Sequence, residues 1–146
     1  MTSQIENTLD STIVIVGGNG DLSLRKLLPA LYSLEKRGLL GNVNSIIGTG
    51  RADLTREAFI DLVTNKYKEF VTNGEDDVNQ CCHWISFIQK VHYCRLAADD
   101  SSHYDNLKSM IVSNGNRPPV TYYLSTVPAL YGTICQQLKS HGLAED

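Results

Sequence analysis

Gly17-Gly18-Asn19-Gly20-Asp21-Leu22-Ser23 sets two glycines and a serine three residues apart, a variant of the G-x-G-x-x-G spacing that cradles a dinucleotide pyrophosphate. The chemistry is anion binding by the main chain. A helix begins with N–H groups that lack an intrahelical acceptor and with the positive end of its dipole, and glycine lets an anion approach closely. Gly17 is expected to make the tight turn, Gly20 to admit the pyrophosphate, and small Ser23 to let the helix pack on the strand. The same glycines also suit a plain strand-to-helix turn, and Asp21 suits a cap on the helix dipole. No Lys-Ser or Lys-Thr follows at the offset of a Walker loop.

Arg51 is the second chemical feature. It follows Ser45-Ile46-Ile47-Gly48-Thr49-Gly50, at a place where NAD-binding domains carry an acid for the adenosine ribose. An acid repels a 2′-phosphate, whereas a guanidinium grips it with charge-assisted hydrogen bonds. The strand end offers Thr49, Gly50 and Arg51 and no carboxylate until Asp53, so the residues point to NADP over NAD; the plain alternative is a solvated surface arginine. Lys26, one turn into the helix, reads first as a solvated lysine.

These residues need a frame. Ile13-Val14-Ile15-Val16 is a β-branched run bounded by glycine, the pattern of a buried parallel strand. Leu24, Leu27, Leu28, Leu31 and Leu34 share one helix face, with Pro29 predicting either a kink or a short turn followed by a restarted helix. Arg37-Gly38 supplies a stop, with Leu39-Leu40 packing behind it and Gly41-Asn42 turning the chain. A second helix carries Phe59, Leu62, Val63, Tyr67 and Phe70, with Asp53 and Thr55 both placed to cap it. After a polar loop at Thr72–Asp77, Val78–Gln89 reads as another helix, its Trp84 a core anchor. Val91–Leu96 alternates as a strand, Asp99-Asp100 precedes a helix with Tyr104, Leu107, Lys108 and Ile111 in register, and Val120–Leu124 is a fourth strand. Strands joined by helices predict an α/β fold, a Rossmann-like doubly wound, mainly parallel sheet with helices on both faces. Ser125, Thr126 and Val127 then pass near a nicotinamide, while Tyr123 suits a core position as well as a cofactor contact.

Bulk properties narrow the partners. The 146 residues suit one domain, taken as a flexible tail over 1–11 and a binding domain over 12–146. A net charge of −3 argues against nucleic acid and anionic membrane surfaces, no apolar run reaches the roughly 20 residues of a membrane span, and the first residues lack signal-peptide character. Cys81, Cys82, Cys94 and Cys135 form no C-x-x-C pair, so no metal site is expected and the thiols read as reduced and packed near the core.

Gly17 to Leu27 resembles the amino-terminal fingerprint of the glucose-6-phosphate dehydrogenase family, G-[AG]-[ST]-G-D-L-A-x-[RK]-K-[LI]. The likeness continues through Pro29-Ala30-Leu31-Tyr32, Ile46-Ile47-Gly48-Thr49-Gly50-Arg51 and Tyr122-Tyr123-Leu124-Ser125-Thr126-Val127-Pro128. Asn19 replaces Ser or Thr, and Ser23 replaces Ala. The resemblance implies a cytoplasmic oxidoreductase of the pentose phosphate pathway, converting glucose 6-phosphate to 6-phosphogluconolactone as NADP becomes NADPH. It implies cofactor contacts at Gly17, Gly18, Asn19, Gly20, Asp21, Leu22, Ser23, Leu24, Arg51 and Tyr123. It also implies that Lys26 assists sugar-phosphate binding.

The family's E-K-P-F-G and R-I-D-H-Y-L-G-K-E segments are missing from the sequence, and with the second goes the catalytic histidine. Hydride removal from a sugar carbon needs a base within reach of the hydroxyl proton. His83, His92, His103 and His141 stand in no matching motif, so no catalytic residue is assigned. The expectation is therefore an NADP-binding part, excised or naturally shortened, that binds cofactor without turnover. Homo-oligomers are expected only with the family's carboxyl-terminal domain. The competing reading is a free-standing NADP-binding sensor or an interaction module. An extended short-chain reductase is disfavoured, since Tyr32 and Lys36 offer that family's Tyr-x-x-x-Lys spacing only on the first helix.

Overall fold

Among the described residues four strands form one sheet: β1 (Ser11–Val16), β2 (Val43–Gly50), β3 (Val91–Arg95) and β4 (Val120–Leu124). They lie in the order β3-β2-β1-β4, each neighbouring pair parallel. The structure, a computed structural model, describes residues 11–17, 20, 23–40, 43–70, 82–97, 99–112, 119–126 and 128–143. Of the expected tail only Ser11 falls within them, as the first residue of β1; the loop at Thr72–Asp77 lies outside the described residues.

A parallel sheet must bury both faces, and the β-branched runs of β1 and β2 do so. On one face, Ile13, Ile15 and Ile46 meet α1 (Leu28–Lys36), α2 (Arg56–Phe70) and α3 (Cys82–Lys90). On the other, Val14, Val16 and Ile47 meet α4 (Ser101–Ile111) and α5 (Tyr131–Ser140), which a 3₁₀ turn at Pro128–Leu130 introduces. The doubly wound α/β arrangement is the one expected.

Pro29 acts by restarting the helix. A π-helical turn, Ser23–Leu27, comes first, and α1 begins with the proline in its opening positions, where a missing N–H costs nothing. At α2 the cap is Thr55, whose Oγ1 accepts the Ala58 N–H at 3.1 Å. Asp100 caps α4, accepting the Ser102 N–H at 3.0 Å. Trp84 is a core anchor, 2% exposed.

Some expectations fail. Leu39 does not pack behind α1: it is 56% exposed, and Leu40 alone turns inward, because the Leu39 N–H reaches back to the Leu34 carbonyl and closes the helix end. On α4 Tyr104, Leu107 and Ile111 are buried, and Lys108, at the flank of that face, is exposed and keeps its charge in water. Cys94 is buried, but Cys135 is exposed on α5. Burial pushes the Cys94 thiol up to about 11, which keeps it protonated and unreactive.

Candidate dinucleotide-binding site

The strand order reverses at β1, where the chain runs to β2 on one side and β4 enters on the other. Ligands of open α/β sheets bind at such a point, beyond the carboxyl ends of the strands. A crevice of about 710 Å³ lies there, bounded by Val16, Gly17, Gly50, Arg51, Ala52, Leu96, Asp99, Thr126, Leu130, Thr133 and Ile134. Its volume is in the range of small-molecule sites.

Gly17 is required in two ways. Its φ is +89°, and a Cβ there would stand 2.7 Å from the Ser125 carbonyl oxygen. The turn closes when the Gly20 N–H donates to the Gly17 carbonyl at 2.9 Å and the Leu24 N–H donates to the Gly20 carbonyl at 3.0 Å. The Ser125 N–H donates to the Val16 carbonyl at 2.8 Å, so β1 and the segment after β4 meet at the crevice floor. Thr126 lines the crevice beside Gly17, and Ser125 packs against Gly17 from outside the lining.

Arg51 is exposed at the crevice edge. Among the described residues its guanidinium has no ion-pair or hydrogen-bond partner, so its donors are open to a ligand. Ser23 is fully buried, as its small size requires, and its Oγ has no partner among the described residues. A buried hydroxyl left so costs about 1–3 kcal/mol, which the alanine usual in the family would avoid.

Other expected residues stand elsewhere. Leu24 is 5% exposed and belongs to the core beneath α1. Tyr123 is not a core residue: it is 45% exposed on β4, an edge strand of this sheet, and it does not line the crevice. Lys26 is exposed on the π-helical turn and also lies off the lining. Gly18, Asn19, Asp21, Leu22 and Val127 lie outside the described residues. None of the four histidines lines the crevice. No group of three or more metal-ligating side chains occurs among the described residues, and no helix among them is long and apolar enough to cross a membrane.

The sequence reading missed the crevice's far wall, Leu96, Asp99, Thr133 and Ile134. Leu96 carried a usable signal, the end of a predicted strand. Thr133 and Ile134 carried only a general one, the helix that follows the strand across the switch point.

A glycine turn at positive φ after β1, an arginine after β2 and an open crevice between them define a dinucleotide-binding α/β domain of the Rossmann type. The family model described as "Glucose-6-phosphate dehydrogenase, NAD binding domain" matches residues 14–146, and the chain belongs to that family. Glucose-6-phosphate 1-dehydrogenase of Dickeya dadantii is 34% identical over 134 residues, covering 92% of this chain and 26% of the relative. That of Leuconostoc mesenteroides is 34% identical, covering 100% of this chain and 29% of the relative. The crystal structure of the Mycobacterium avium enzyme matches with a TM-score of 0.77 at 27% identity, covering 93% of this chain and 28% of that one. A glucose-6-phosphate dehydrogenase solved with glucose 6-phosphate gives a TM-score of 0.78 at 28% identity, covering 94% and 28%. The chain thus spans about a quarter of the length of these relatives.

Proposed function

We propose that this chain is the NADP-binding part of a cytoplasmic glucose-6-phosphate dehydrogenase. In the whole enzyme, NADP accepts a hydride as glucose 6-phosphate is oxidised to 6-phosphogluconolactone, the entry to the oxidative pentose phosphate pathway. The turn from Gly17 to Ser23 holds the pyrophosphate through main-chain N–H groups and the dipole of the helix that follows. Arg51 grips the 2′-phosphate. Leu24 supports the turn from the core beneath it, Tyr123 takes no part in the crevice, and Lys26, exposed on the π-helical turn, serves the sugar phosphate. A homo-oligomer would need the further domain that the longer relatives have room for.

The single observation that carries the preference for NADP is the open guanidinium of Arg51 on the same crevice as Gly17. The crevice also limits what the chain does alone. His83, His92, His103 and His141 all lie off its lining, so no imidazole stands ready to take the sugar hydroxyl proton. The 146-residue chain is expected to bind NADP without glucose-6-phosphate-dependent NADPH formation.

Calorimetric titration with NADP and NAD, repeated on Arg51→Ala, tests this reading. Charge-assisted phosphate bonds contribute about 1.5–3 kcal/mol, so the variant should bind NADP about 10- to 100-fold more weakly and NAD nearly unchanged. Equal binding of the two cofactors by the wild-type chain would refute the role given to Arg51.

A further inference from the structure

Three successive carbonyls, that of the last residue of β2 and those of the two residues after it, are held by β3 and the residue that follows it. The Leu96 N–H donates to the Gly50 carbonyl at 2.7 Å, Arg95 Nε donates to the Arg51 carbonyl at 3.0 Å, and the Tyr93 hydroxyl donates to the Ala52 carbonyl at 2.7 Å. The first continues the pairing of the two strands, in which Gly50 stands opposite Arg95. The other two come from side chains and reach past the last paired residue, where a loop ordinarily moves freely.

Tyr93 suits a fixed post. It is 8% exposed, and its ring lies 5.0 Å from that of Phe59, itself fully buried under β2. Burial, the largest influence on its hydroxyl, raises the pKa to about 12, so the group keeps its proton and remains a donor through the neutral range. Arg95 is exposed, and its Nε bond fixes a second cation next to Arg51.

We infer that Tyr93 and Arg95 are positioning residues for Arg51: by holding the carbonyls of Arg51 and Ala52 they aim the Arg51 guanidinium into the crevice, and so set the preference for a dinucleotide with a 2′-phosphate. The inference rests on the cofactor reading above and extends it from one side chain to the strand behind it. An arginine is a long side chain with much rotamer freedom, and fixing its backbone lowers the entropy lost when it closes on a phosphate. NAD offers that arginine no phosphate at the ribose 2′ position, so its affinity should be insensitive to how Arg51 is aimed.

The test is a double-mutant cycle on the full 146-residue chain, read by calorimetric titration with NADP and with NAD. Tyr93→Phe deletes one hydroxyl and keeps the ring against Phe59; Arg95→Met deletes the second bond. Each should lower the preference for NADP over NAD by about 3- to 10-fold, the value of one hydrogen bond, with NAD affinity within about 2-fold of wild type. In the Arg51→Ala background neither should change NADP binding further, because nothing remains to be aimed. A thermal melt of each variant establishes that it is folded, and Arg95→Met carries the test if Tyr93→Phe does not fold. Equal weakening of NADP and NAD would overturn the inference, as would an unchanged preference or an effect that persists without Arg51. A wild-type chain that binds neither cofactor overturns the cofactor reading and this inference with it; wild-type NADP binding with an unchanged preference in the variants overturns the inference alone.

Discussion

The two faces of the sheet are built from different materials. The face under α1, α2 and α3 is aromatic: Trp84 stands edge-on to Tyr32 at 4.8 Å, stacks on Tyr67 at 5.0 Å and meets Phe87 at 5.6 Å, with Phe59 and Tyr93 paired farther along. Close approach is written into the strand there, since a Cβ on Gly48 would lie 2.4 Å from the Phe59 ring. The face under α4 and α5 is mainly aliphatic, with Val14, Val16, Ile47, Leu107, Ile134 and Leu138 around Tyr104. Toward the carboxyl ends of the strands this second face opens into the crevice, whose lining includes Val16, Leu96 and Ile134. The comparison teaches a division of labour. One face is filled by large rings and supplies stability; the other stops short of closure and leaves main-chain groups and Arg51 facing a cavity.

The largest effect should come from emptying the filled face. Trp84→Ala is expected to cost about 3–5 kcal/mol, as for other buried tryptophans, and to lower the melting temperature by about 10 °C or more. Calorimetric melting checks the loss. Titration well below the new midpoint should still give NADP affinity near wild type, because the crevice shares no lining with this cluster. A parallel loss of affinity in a folded variant would break the comparison.

A smaller effect tests the border of that face. Burial, and then the nearby Arg56 guanidinium, hold the His92 pKa below its ordinary value of 6.5. The unfolded chain takes up the proton near 6.5 and the folded chain only at lower pH, so stability declines as pH falls below about 6.5 and levels off below the folded value. His92→Gln should flatten the dependence of melting temperature on pH across that window; an unchanged slope would mean that other groups set it.

The strands and the turn were legible because they are local. The run Ile13–Val16, the glycine spacing and the helical stripes of leucine each declare themselves within a few residues, and the strand order then places Gly17 and Arg51 on one edge. Several of the misses are at long range. Nothing near Arg56 in the sequence marks its role: its guanidinium donates to the carbonyls of Ile88, Gln89 and Val91, finishing the end of α3 from more than 30 residues away. Glu35 likewise finds Lys90 at 2.8 Å. Tyr93 and Arg95 alternated as a strand should, and no local pattern could say that their side chains hold the loop behind Arg51. Leu24, part of the fingerprint, fills the core because the π-helical turn directs it there. A motif records which residues occur together; burial decides which of them remain free to meet a ligand.

The most direct test of the account is chemical-shift mapping of the isotopically labelled chain during titration with NADP. The account predicts that the amides of Gly17, Gly20, Arg51 and Thr126 move together with the Arg51 side-chain Nε–H, while the Trp84 indole and the α3 amides stay in place. NAD should move Gly17 and leave the Arg51 side chain where it was. A folded chain in which none of these signals moves, or in which the changes gather on the aromatic face, would contradict it.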